Sequence, residues 1–146
     1  MWGFQRGLRV TTSAKWYALI AGLSYVVLGL AGWFYTGGGS FTEMSGKYMF
    51  GYFGMTPYHN VVHLAIGGVW LLAALVLTPP AAQGVNLAVG GAFVLVAVLG
   101  YFGFLHFLGI QNGVSPDNIL HIVTGVVTLA FAGIIPTGRR AGARRA

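Results

Sequence analysis

The sequence predicts an all-α fold, an integral membrane four-helix bundle built from two helical hairpins related by a pseudo-twofold axis along the membrane normal. Three observations carry that expectation. Of 146 residues 56% are hydrophobic and only 7% charged, with a mean hydropathy of +0.75, which is more apolar surface than a soluble domain of this length can hide. Four apolar stretches of about 20 residues each are long enough to cross hydrocarbon as helices. The second and fourth of these open on related motifs. The stretches are continuous and lack strict alternation, which argues against a closed barrel.

One domain, 1–146, is expected, with helices at about 16–35, 58–78, 85–108 and 117–135. The basic leader, 1–15, runs into a span too long for a signal-peptide core and shows no small-residue cleavage site, so the first helix is expected to stay. Gly37-Gly38-Gly39 ends it. The loop that follows, "GGGSFTEMSGKYMFGYFGM", is too aromatic for a solvated linker, and is expected to fold back as a lid over the bundle or to rest at the interface. Pro79-Pro80 separates helices two and three, and Ser115-Pro116 precedes helix four, places where continuation is costly or a new helix can begin. The tail, 137–146, is again basic. With no cysteine, the chain has neither a disulfide framework nor a thiolate ligand.

Charge sets the expected orientation. Arg6, Arg9 and Lys15 precede helix one and Arg139, Arg140, Arg144 and Arg145 follow helix four, leaving Lys47 alone on the other side. Both termini are therefore expected in the cytoplasm, with the protein in the plasma membrane. The tails, with a formal charge of +6, read as topology anchors touching anionic lipid and not as a nucleic-acid patch. His59, His63, His106 and His121, together with the only acids, Glu43 and Asp117, then lie on the extracytoplasmic side. The opposite half of the spans is expected to be free of polar groups, which leaves no ion path for transport.

The chain repeats itself. "HNVVHLAIGG" at 59–68 aligns with "DNILHIVTGV" at 117–126, pairing Asn60 with Asn118, His63 with His121 and Gly67 with Gly125, while His59 is answered by Asp117. Helices one and three share the weaker trace "AGWF" and "LGYF". Positions i and i+4 lie on one helix face, so each inward-running helix offers a two-rung ladder, His59 above His63 and Asp117 above His121. Facing across the axis, these four residues form a transition-metal site, with His106 as a further ligand candidate. Three imidazoles and a carboxylate suit zinc most simply and also accept copper, iron or nickel.

Each residue has a plainer role as well. Thr56-Pro57 and Ser115-Pro116 are N-cap pairs, and Asp117 in a first turn is favoured by the helix dipole without any metal. Asn60 and Asn118 suit support behind the ligands or bonds to a neighbouring helix. His59 suits the headgroup level, His106 an aromatic belt, and Glu43 solvent. The glycines at 22, 29, 67, 68, 90, 91, 100, 103 and 125 are candidates for close helix approach. His59 and His63 lack the adjacent glutamate that a metalloprotease helix needs as general base.

With "PYHNVVHLAIGG" and "DNILHIVTGV" in a four-span chain with basic ends, the sequence resembles a family of small bacterial membrane proteins, common in actinobacteria, known as a domain of unknown function. The resemblance spans roughly the whole chain, rests on a paired Asn-x-x-His signature (Asn60, His63, Asn118, His121), and implies four helices and no established activity. Three functions compete. One is an extracytoplasmic metal site with a storage, sensing or structural role. Another is a single haem or other tetrapyrrole ligated by His63 and His121, since histidines confined to one side exclude a two-haem wire. The last is an accessory or assembly subunit of a larger membrane complex, or a homo-oligomer, with the histidines as polar glue. Catalysis is not expected, because no general base or substrate pocket can be named.

Overall fold

The computed structural model describes residues 10–37 and 39–134. Four helices, Ser13–Thr36 (α1), Pro57–Leu75 (α2), Pro79–Tyr101 (α3) and Pro116–Leu129 (α4), pack as a bundle, and all are long and apolar enough to cross a membrane once α4 is taken with its continuation to Gly133. α4 continues through a wide π turn, Ala130–Ile134. The arginines of the expected tails (Arg6, Arg9, Arg139, Arg140, Arg144 and Arg145) lie outside the described residues.

Hydroxyl caps set the helix starts. Thr56 Oγ1 accepts the His59 N–H at 3.1 Å and Ser115 Oγ accepts that of Asn118 at 3.3 Å, each cap being followed by a proline that has no N–H to leave unsatisfied. Thr12 caps α1 in the same way, through the Lys15 N–H at 3.4 Å. Several boundaries differ from those read from sequence. Pro79-Pro80 opens α3 instead of merely interrupting the chain, so α3 begins at Pro79 and not near 85, while α2 ends at Leu75 because Thr78 belongs to the next helix start. α3 ends at Tyr101 rather than 108, where Gly103 takes a left-handed φ of 81°. There the Gly103 N–H reaches Gly100 O at 2.9 Å and the Phe104 N–H reaches Leu99 O at 3.0 Å, satisfying the terminal carbonyls. Lys15, expected before the first span, lies in the first turn of α1 and is buried.

Packing follows the repeat. α1 lies chiefly against α2, and α3 against α4. A Cβ on Gly67 would stand 2.8 Å from Val26 N, and one on Gly125 2.9 Å from Val94 N; Gly22 presses on Gly67 O and Leu71 as Gly90 presses on Gly125 O and Leu129. Gly32 meets the side-chain oxygen of Asn60 as Gly100 meets that of Asn118. The two hairpins thus repeat their backbone contacts as well as their motifs. Gly68 and Gly91, in contrast, face open space. Small residues such as Ala18, Ala73, Ala74 and Ala82 fill the interior, and large apolar side chains such as Ile20, Val27, Leu72 and Leu95 face outward, as they must where the surroundings are lipid. The cores of the two hairpins meet through Tyr25, Trp70 and Phe93.

The α1–α2 loop does fold back. It carries a hairpin of two short strands, Tyr48–Met49 (β1) and Phe53–Gly54 (β2), paired antiparallel with Tyr48 opposite Gly54 and Met49 opposite Phe53. Ser45 Oγ donates to Tyr35 O at 2.9 Å, the Tyr58 N–H to Phe41 O at 3.0 Å, and Thr56 Oγ1 to Phe107 O at 3.1 Å. Met49 and Met55 are buried beneath this lid, whereas Phe50 and Tyr52 point outward.

Candidate metal centre

Three helix-borne imidazoles converge under the lid. His59 and His63 sit one turn apart on α2, and His121 faces them from α4; one potential ligand nitrogen from each lies within 4.8 Å of the others. The rings of His59 and His63 are 4.4 Å apart and those of His59 and His121 5.9 Å. Tetrahedral ligation at metal–nitrogen lengths of about 2.0–2.1 Å needs nitrogens about 3.4 Å apart, so an ion would draw these imidazoles closer together. The three residues are only 3%, 6% and 4% exposed, and the Nδ1 atom of each is buried without a hydrogen-bond partner.

Below the triad, its seat is aromatic. Tyr25 meets His63 edge-on at 5.0 Å and Phe93 stacks on His121 at 5.6 Å, the two aromatics occupying related places in the two hairpins. Tyr25 is fixed in turn by its hydroxyl, which donates to Thr124 Oγ1 at 3.3 Å. Two small cavities touch all three histidines. One, of about 40 Å³, lies on the lid side and is shared with Asp117, Met49 and Met55. The other, of about 50 Å³, is otherwise walled by apolar residues including Val62, Ile66 and Phe93.

The remaining sequence-derived candidates fall in different places. Asp117 lines the lid-side cavity but is not part of the three-imidazole cluster; its Oδ2 accepts the Gly54 N–H at 3.3 Å and so ties the lid to α4. His106 lies on a short 3₁₀ turn, His106–Leu108, beyond the end of α3; it is exposed, beside Gly103, and does not join the cluster. Asn60 Nδ2 donates to Thr36 Oγ1 at 3.0 Å, and Asn118 Nδ2 donates to Gln111 O and Gly113 O, both at 2.9 Å. The two asparagines therefore fasten helix ends and loops one turn away from the imidazoles.

A family model described as a domain of unknown function (DUF4383) matches residues 15–134. The chain belongs to this family. No curated protein and no solved structure matches it.

Sequence reading missed several parts of this DUF4383 chain. The far half of the bundle is not free of polar groups: Asn86 is fully buried there, and its Nδ2 donates to Ala14 O at 3.1 Å and to Phe131 O, in the π turn, at 3.2 Å. A lone asparagine inside an apolar run was the available signal. Met49 and Met55, which border the histidine cavity, carry no signal in the sequence beyond the loop's hydrophobic content.

Proposed function

We propose that this protein binds a transition-metal ion between α2 and α4 through His59, His63 and His121, in a storage, sensing or structural role. The observation that carries the reading is the set of three buried imidazoles whose Nδ1 atoms lack partners. Three neutral imidazoles turned toward one another from two helices supply lone pairs that a metal ion takes up directly. The adjoining cavities, about 40 and 50 Å³, suit an ion and have no room for a tetrapyrrole ring. Asp117 adds negative charge to the site, with Asn60 and Asn118 bracing the helices that carry the ligands. The charge distribution supports cytoplasmic termini and an extracytoplasmic site. Likeness to small bacterial membrane proteins with paired Asn-x-x-His motifs supports a bacterial plasma membrane.

The test is elemental analysis and an absorption spectrum of the detergent-purified protein beside His63→Ala with His121→Ala. A stoichiometric metal without a Soret band, lost in the variant, is expected. A Soret band turns the reading to haem, and the absence of both overturns it.

A second reading has its own support. Ala81, Gly84, Ala88 and Gly91 form an exposed stripe of small residues on α3, with open space where Cβ atoms would stand on the two glycines. Such a face suits close docking of another membrane helix, as in an accessory or assembly subunit or a homo-oligomer. Native mass spectrometry from nanodiscs tests it, a monomer with no partner counting against it.

A further inference from the structure

We infer that the ion is cuprous copper, and that the lid methionines Met49 and Met55 offer it thioether sulfur; the inference rests on the metal-binding reading above. Three of the four methionines in the chain, Met44, Met49 and Met55, fall within residues 44–55. Two of them turn inward, Met49 at 4% and Met55 at 1% exposure, and both line the same cavity of about 40 Å³ as the three histidines. Phe50 and Phe53 of the lid border the same cavity, with Phe50 61% and Tyr52 67% exposed.

Donor type selects the ion. Neutral imidazole accepts most first-row metals, but thioether sulfur is a soft donor that favours Cu(I) and contributes little to zinc. Charge points the same way. The ligand set is neutral, the chain has no cysteine thiolate to add, and the lone carboxylate on the cavity is that of Asp117 among the described residues. One carboxylate balances a monovalent cation, whereas a divalent ion leaves a net charge in a lipid-embedded site, where uncompensated charge is expensive. The tie from the Gly54 N–H to Asp117 joins this counter-charge to the strand between the two methionines, and the carboxylate and both methionines border one cavity with the triad.

The test uses the full chain in detergent under anaerobic conditions. Cu(I) is titrated in competition with a chromogenic Cu(I) chelator, Zn²⁺ in competition with a zinc chelator, and copper-edge X-ray absorption is recorded on the Cu(I) form. The proteins are wild type, Met49→Leu with Met55→Leu, and His63→Ala. Expected are a sulfur scatterer in the wild-type spectrum, its loss in the methionine variant, and a fall of at least about ten-fold in Cu(I) affinity with zinc affinity unchanged. Leucine keeps the lid apolar and of similar volume, and the wild-type spectrum decides the question even if that variant fails to fold. A copper shell of nitrogen alone, or Cu(I) affinity untouched by removing both sulfurs, overturns the inference while the metal site stands. Failure of wild type to bind either ion, or binding unaltered in His63→Ala, overturns the metal reading itself.

Discussion

Replacing Gly100 by alanine isolates the helix contact that the repeat builds twice. A Cβ there would run into the side-chain oxygen of Asn118 and stand 3.0 Å from Ile110 Cγ2. Asn118 has little freedom to retreat, because its Nδ2 is held by Gln111 O and Gly113 O at 2.9 Å each. Breaking both bonds costs about 1–3 kcal/mol at about 0.5–1.5 kcal/mol per bond, in the range typical of overpacked interiors. Against this, alanine gains about 1 kcal/mol of helix propensity over glycine. Gly91→Ala, on the same helix but facing open space, receives that gain without the collision. The difference between the two variants is therefore the collision alone, and Gly100→Ala is expected to be less stable than Gly91→Ala by about 1–3 kcal/mol. Gly32→Ala in the other hairpin should lose about half as much, since Asn60 is held by the single bond to Thr36. Reversible unfolding in mixed micelles, followed by circular dichroism, measures all three. If Gly100→Ala and Gly91→Ala agree to within about 0.5 kcal/mol, α3 and α4 do not approach as closely as the glycine contacts require.

Asn86→Ala leaves the carbonyls of Ala14 and Phe131 without their donor inside the bundle, so thermal melting in detergent should reveal a loss of about 1–3 kcal/mol; unchanged melting would mean that both carbonyls find other donors. Asp117→Ala removes the acceptor of the Gly54 N–H and is expected to loosen the lid without unfolding the bundle. Hydrogen exchange at residues 48–55 should then rise by up to about ten-fold, with α1 to α4 unaffected, and equal exchange in the two proteins would refute the tie.

The spans and their pairing into hairpins were legible because hydrophobic length and the repeated Asn and His positions are properties of the chain itself. So was the meeting of His63 with His121, which follows from equivalent places on equivalent helices. Helix ends were read less well. A double proline reads as readily as a break as a helix start, and Gly103 lies inside an apolar run that hides its role as a terminator. Asp117 matched His59 in the alignment, but the register of neighbouring backbone decided its partner, since the strand bearing Gly54 is set by the fold of a loop with no periodicity to read. His106 had a suitable side chain and the wrong support: the turn that carries it comes after α3 has ended.

The departures from symmetry argue about purpose. Where the two hairpins are alike, they share glycine contacts, hydroxyl caps and asparagine brackets, all of which hold helices together. Several of their differences lie around the triad: His59 against Asp117, Tyr25 against Phe93, and a methionine-bearing lid on the first hairpin with no such loop on the second. A bundle that needed histidines only for cohesion would have no reason to break its symmetry there, because the shared glycine, cap and asparagine contacts already supply cohesion. Strict symmetry would give either four imidazoles or two imidazoles and two carboxylates. The divergence places three imidazoles, one carboxylate and two methionines on a single small cavity, the donor set on which the proposed Cu(I) site rests.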